Sequence, residues 1–335
     1  MRSGLLCFLL ALTSCICLPA RGQASGGDFS TNLHPTEKQK VPAGVILVKG
    51  AWSSASDSVN PVPEGGNVAA DTYTNQYFGI TYPLPQGWIE KHKGPPPSDS
   101  GSYVLASLTP PANYKGASRG MVLITADDMF FTPLPAANAL ELVNYKKKNL
   151  PADYKLESQL PETKLAGRTF SFYAYWSPAA ELHWYVLATE IRCHTVQIVL
   201  TSRDTKLLES LVLDMSKMKL PAEASPTAGR GGGDFPVCVK DYANQDNVAE
   251  RVEPVFTDRR FNPVPVRILI DKEGKVKHIH FLSAFPEQAK AISDALAHWR
   301  FRPYLRGGKP VEVETGIMFG RSRAPVAPAT SAVQE

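Results

Sequence analysis

Between Val264 and Phe319 the alternation of apolar and polar positions is the clearest in the chain. Val264, Val266, Ile268 and Ile270 recur at period two, which predicts a half-buried strand. Asp271-Lys-Glu-Gly-Lys275 follows, with Gly274 where a short hairpin loop needs positive φ. Val276–Ser283 is a second strand. Pro286 suits the first turn of a helix, and Ala289, Ile292, Leu296 and Trp299 fall on one helical face. Pro303 stops that helix, Gly307-Gly308 turns the chain, and Val311, Val313, Ile317 and Phe319 alternate in a last strand. The pattern predicts β-β-α-β, one helix on a three-stranded antiparallel sheet. Glu312 and Glu314 would then lie on the face away from the core.

Upstream, residues 71–220 mix strand and helix signals. Phe78, Ile80 and Tyr82 alternate; 103–108 and 121–126 are apolar runs of strand length. Residues 136–149 are helical, with Leu140 and Val143 inside and Lys146-Lys-Lys148 solvated at the end, where cations suit the helix dipole. Strands at 169–176, 183–191 and 195–202 precede a helix that Asp204 caps and whose face is Leu208, Leu211, Val212 and Met215. Strands in runs with flanking helices indicate an α+β fold with an antiparallel sheet.

The division that follows is a leader over 1–24, a Gly/Ser/Asn/Pro linker over 25–70, a first domain over 71–220, a Gly/Pro linker over 221–235, a second domain over 236–321 and a Pro/Ala/Ser tail over 322–335. Arg2 followed by an apolar run from Leu5 to Leu12 reads as a secretory signal. Gly22-Gln-Ala24 offers a signal-peptidase site, and Leu12-Thr-Ser-Cys15 resembles a lipoprotein lipobox, which would acylate Cys15 and tether the chain to a membrane. Either route takes the chain out of the cytoplasm.

With 335 residues, 43% of them apolar, the chain is long enough for two ordinary domains. A net charge of +4 argues against nucleic acid as the default partner. Of five cysteines, three lie in the leader; Cys193 and Cys238 remain, in no C-x-x-C arrangement. In an oxidising envelope those two could form one bridge tying the domains together; the alternative is two free thiols. His278-x-His280 share a strand face, but with Ile279 and Phe281 facing the core and no third ligand at a suitable spacing, both read as exposed and unmetallated. Ser216-x-x-Lys219 lacks the partner motifs of serine acylases, and Asp127-Asp128 at a strand end reads as a solvent-exposed turn. Trp176 and Trp184 could together line a ligand pocket, although core packing accounts for most aromatics there. No residue set indicates catalysis or a cofactor.

Trp299-Arg-Phe-Arg-Pro303, Gly308-Lys-Pro-Val311 and the strand after them, with Ile270-Asp-Lys-Glu-Gly-Lys-Val276 ahead, resemble the TonB C-terminal domain family over about a quarter of the chain. Phe256-Thr-Asp-Arg-Arg-Phe261 departs from that family's usual Tyr-Pro opening. The resemblance implies a periplasmic protein-binding module that takes an extended peptide of an outer-membrane transporter by strand addition. On that reading Val311, Glu312, Val313, Glu314, Thr315 and Ile317 are the partner-binding residues. Tyr77-Phe-Gly-Ile-Thr-Tyr-Pro-Leu-Pro-Gln-Gly-Trp88 resembles the opening of PsbP-like domains, which are α/β/α sandwiches. That implies the alternative of a ligand- or lipid-binding envelope protein; a hydrolase with unrecognised residues is the third. The expectation is an exported, non-enzymatic protein of the periplasm or cell envelope.

Overall fold

In the computed structural model of the chain the described residues are 45–47, 55–57, 62–64, 66–92, 101–110, 120–132, 136, 138–223, 236–256 and 263–320. They belong to one compact unit spanning Val41–Glu335. The leader with Cys15, the glycines 229–233 of the second linker and the tail lie outside them.

The strands of the first half are β1 (Val45–Leu47), β2 (Ala55–Asp57), β3 (Asn67–Ala69), β4 (Thr72–Asn75), β5 (Ile80–Pro83), β6 (Ile89–His92), β7 (Ser102–Thr109), β8 (Met121–Asp128), β9 (Lys155–Leu165), β10 (Arg168–Ser177), β11 (Leu182–Ile191) and β12 (His194–Ser202). Helix α1 (Ala139–Lys148) lies between β8 and β9, and α2 (Thr205–Asp214) follows β12. The second half contributes β13 (Val237–Cys238), β14 (Val248–Glu250), β15 (Val264–Ile270), β16 (Val276–Phe281), α3 (Pro286–Leu296), β17 (Arg300–Phe301), β18 (Leu305–Arg306), β19 (Lys309–Pro310) and β20 (Val313–Phe319).

A seven-stranded sheet runs in the order β6-β7-β8-β12-β11-β10-β9, and every pairing in it is antiparallel. β12 is buried along its whole length because both faces are covered. One face carries Ile124, Val196, Ile198, Leu200 and Leu187 against Leu208, Leu211 and Met215 and against Tyr73, Phe78 and Tyr82 of the β3–β5 meander. Asp204 caps α2 as expected, accepting from the Lys206 N–H at 2.9 Å. Helix α1 is capped by Asn138, which accepts from Glu141 N at 2.9 Å. Its buried residues are Ala139, Leu142 and Val143; Val143 faces inward as expected, whereas Leu140 faces out and Leu142 takes its place. β9 has no counterpart in the sequence reading. Lys155–Leu165 is polar and contains Pro161, a composition tolerated only on an edge strand, where β9 sits. The 25–70 segment contributes β1, β2 and β3 among its described residues.

The second half follows the β-β-α-β pattern, with sheet order β16-β15-β20. Gly274 has φ of 81°. Val264, Val266, Ile268, Ile270, Phe281, Val313 and Phe319 pack against Ala289, Ile292 and Leu296 of α3. Trp299, 1% exposed, lies just past α3 and donates its indole N–H to Val252 O at 2.7 Å. Short strands extend both edges: β2 joins β16 at the His280↔Ser56 pair, and β13 runs parallel to β20. β15 is not half-buried. Its second face, with Arg267, meets the seven-stranded sheet, so six of its seven residues are buried. Gly316 permits that approach, since a Cβ there would stand 2.6 Å from Phe130 Cβ.

Candidate functional site

Where the two sheets meet, the sequence places charge in a dry layer. Asp128 closes β8, Arg267 is the middle of β15, Glu314 lies in β20, Arg192 lies in the turn between β11 and β12, and His194 opens β12. Relative exposures are 0% for Asp128, 2% for Arg267, 5% for Glu314 and 0% for His194. An unpaired charge so placed is expensive, so each must find a partner.

They find each other. Arg267 Nη1 donates to Asp128 Oδ2 at 2.5 Å, and its Nη2 lies 3.1 Å from Glu314 Oε1 and donates to Arg192 O at 3.3 Å. The guanidinium plane lies over the Phe130 ring, 4.5 Å from its centre. Arg192 Nη2 is 3.5 Å from Glu314 Oε2, and its guanidinium sits 4.0 Å over the Tyr77 ring. Tyr77 Oη donates to Glu314 Oε1 at 2.9 Å. Asp128 Oδ1 accepts the Phe130 N–H at 2.8 Å. Two guanidinium groups thus face two carboxylates, and the acids and arginines come from opposite sheets: Asp128 with Arg267, and Arg192 with Glu314.

The turn that supplies Arg192 is built tightly. Ile191 pairs with His194, so Arg192 and Cys193 are the loop, with φ of 48° and 60°. Two central residues at positive φ make the hairpin turn that matches strand twist. Cys193 is buried there and bonded to Cys238 of β13, Cα to Cα 5.6 Å, a covalent tie between the two halves. His194 Nδ1 donates to Arg192 O at 2.7 Å, since a carbonyl can only accept; its Nε2 faces Asp128 Oδ2 at 3.6 Å and makes no hydrogen bond. Burial first, then the nearby Arg267 charge, hold His194 well below its ordinary 6.5, so the ring is neutral. Burial pushes the Asp128 carboxyl up, while Arg267 and the Phe130 N–H pull against it. Glu314 is raised by burial, but Arg267, Arg192 and Tyr77 overcome that and hold it below the usual carboxylate value.

The arrangement can clamp the two sheets: its acids and guanidinium groups pair across the junction, while Arg267 Nε and His194 Nε2 make no hydrogen bond among the described residues. Among the described residues no His/Cys/Asp/Glu group could hold a metal ion.

Several expected positions move. Asp128 is not an exposed turn acid; it is at the centre of the clamp. Asp127 is tied to Lys146 at 2.5 Å, to Ser102 at 2.8 Å and to Gln197 at 2.8 Å, so Lys146 is no bare helix-end cation. His280, with 12% of its side chain exposed, lies 3.7 Å from Glu64 instead of in solvent, because β2 and the first sheet cover that side. Trp176 and Trp184 do not share a pocket. Tyr175 pairs with Trp184 and Trp176 with His183, so the two indoles lie on opposite faces. Ser216 is exposed and donates to Leu213 O at 2.6 Å, with no acylase partner.

The six residues expected to bind a partner form β20 and its approach, and none has an exposed side chain. Val311 donates its N–H to Tyr304 O at 3.0 Å, and Glu312 accepts from Lys277 at 2.8 Å. Val313, Thr315 and Ile317 face α3. Glu314 is the correction with most consequence: the face away from α3 is the clamp, not solvent. The outer edge of β20 is taken at Val313 and Glu314 by β13, through Val237 N to Glu312 O at 2.9 Å and Val239 N to Glu314 O at 3.1 Å. Local sequence could not reveal the clamp. Arg267 and Asp128 are 139 positions apart, and Tyr77 and Glu314 are 237 apart. The one available signal was a charge in the middle of the best apolar strand.

No protein-family model matches the chain, and no curated protein does. Among solved structures, cyanobacterial PsbP (CyanoP) from Synechocystis sp. PCC 6803 is similar over 46% of this chain and 96% of its own, at 15% identity and a TM-score of 0.30. LpqN of Mycobacterium tuberculosis, described as involved in cell envelope biogenesis, is similar over 42% of this chain and 82% of its own, at 12% identity and a TM-score of 0.26. At those TM-scores neither likeness carries an argument for this chain. Among the described residues no helix is long and apolar enough to cross a membrane.

Proposed function

We propose that this is an exported, non-enzymatic binding protein of the cell envelope that takes an extended segment of another protein on the outer edge of β20. The carrying observation is how little of that edge is used. Val237 and Val239 bond to the carbonyls of Glu312 and Glu314. By period two, Gly316 and Met318 turn their N–H and C=O the same way, and among the described residues no strand lies beyond them. The Arg2–Ala24 pattern and a disulfide, which persists in oxidising compartments, support export. The TonB-like motifs alone suggest an outer-membrane transporter as the partner.

The test is a pair of prolines. Met318→Pro removes an edge-facing donor and should leave melting within about 1 kcal/mol of wild type while capture from envelope extract is lost. Ile317→Pro removes a donor that faces β15 and should unfold the sheet. Undiminished capture by Met318→Pro would overturn the reading.

A second reading rests on Trp184. Its indole N–H is buried and has no acceptor among the described residues, beside a ring stack in which Tyr175 lies 5.7 Å away. A small ligand carrying an acceptor would satisfy it. Titration with envelope lipid extract should then quench indole fluorescence in wild type and not in Trp184→Phe.

A further inference from the structure

We infer that β13 is a built-in occupant of the β20 strand-acceptor edge and that the Cys193–Cys238 bond is its lock; this rests on the strand-addition reading above. β13 has two residues, Val237 and Cys238, each paired with one residue of β20. So short a strand is marginal by itself. The bond to Cys193 holds it, because Cys193 shares a two-residue turn with the clamp residue Arg192 and is followed by His194. With the bond closed, an incoming strand finds the edge only from Gly316 onward. With it open, the edge runs from Glu312 to Phe319, twice the length.

β13 also states what the edge accepts. Val237 stands beside Val313, on the α3 side, and Val239 packs into that same core. Cys238 stands beside Glu314, on the side where the two sheets meet. The partner is therefore an extended segment with β-branched apolar residues at alternate positions and small residues between them, entering parallel to β20.

The lock has one accessible end. Cys238 is exposed and Cys193 is 2% exposed. A dithiol opens it in two steps. One thiolate attacks Cys238 Sγ, and the S–S bond breaks with its electron pair leaving on Cys193 Sγ, which takes a proton. The second thiol of the reagent then closes its own disulfide and releases Cys238 as a thiol, so two electrons pass from the dithiol to the protein.

The probe is a fluorescent peptide of residues 234–241 carrying Cys238→Ser, titrated into the full chain with the bond intact, after dithiothreitol, and into Cys193→Ser/Cys238→Ser. Cys238→Ala alone keeps the buried thiol in place should the double variant fold poorly, and near-ultraviolet circular dichroism checks each fold. Binding at least tenfold tighter in the opened forms, with faster amide exchange at Glu314, is the expected result. Equal affinity in closed and opened forms would overturn the lock and leave the acceptor edge standing. Absence of binding in every folded form would overturn both the lock and the edge.

Discussion

The two faces of the β15–β20 pair are built by opposite means. Toward α3 the face is Val264, Val266, Ile268, Ile270, Val313 and Phe319, and apolar area holds it. Toward the seven-stranded sheet it is Arg267, Glu314 and Gly316, and paired charge and close backbone approach hold it. An apolar face tolerates repacking among similar volumes. A face of buried charges depends on every member, since loss of one leaves its partner charged and dry. The difference separates what stabilises each half from what fixes the halves to each other.

The sharpest way to break the comparison is Arg267→Ala. It strands Asp128 and leaves Glu314 with Arg192 as its remaining guanidinium partner, and breaking a buried pair costs about 3–5 kcal/mol. Chemical denaturation should show that loss, and Arg267→Lys should recover little, because a point charge cannot serve both carboxylates. Trp299→Ala, on the apolar side, should cost about 3–5 kcal/mol as well. The comparison predicts that their signatures differ: Trp299→Ala melts the second half first, whereas Arg267→Ala weakens the junction and exposes Tyr77 to quenchers. Identical profiles would mean that the two faces are one cooperative layer.

Smaller effects sharpen it. Gly316→Ala adds a methyl against Phe130 and Phe131 and should cost about 1–3 kcal/mol, typical of overpacking. The pH dependence is smaller still. His194 has a folded pKa below its ordinary 6.5, so its contribution is present above that value and fades as pH falls through 6.5. One unbalanced proton gives a slope of about 1.4 kcal/mol per pH unit. Glu314, also lowered, adds loss of the same sign below the usual carboxylate range, and Asp128, raised, works in the opposite sense. Wild type should therefore lose stability between pH 6.5 and 5.5 faster than His194→Asn. Parallel pH profiles would show that the ring does not titrate against the fold.

The same comparison explains what the sequence made legible. The α3 side was readable because period two in β15 and β20 and the helical spacing of Ala289, Ile292 and Leu296 are local signals of burial. The opposite side carries the same alternation, and its polar positions read as solvent-facing. Nothing within ten residues of Arg267 or Glu314 says that a second sheet lies against them. Asp128 was misread for the same reason, and β9 because an edge strand needs few apolar residues. The Cys193–Cys238 pairing was open on sequence grounds, since only the 5.6 Å Cα separation decides it. For the binding edge, β20 itself was legible and the strand already lying on part of it was not.

The long reach of the clamp has a consequence for how the chain assembles. Tyr77 meets Glu314 across 237 residues, and Asp128 meets Arg267 across 139. Each half can collapse on nearer contacts, such as the 20-residue reach from Thr169 to Thr189 and the short hairpin of β15 and β16. Closure entropy must be met before distant contacts return anything, so the junction is the slow, late step of folding. A chain arriving N-terminus first would present Cys193 well before Cys238, and the thiol would wait, tucked in its turn, for a partner 45 residues behind it. Trapping free thiols at intervals during refolding should find the two cysteines oxidised only after both halves have acquired their protected amides, making the bond a record that assembly has finished.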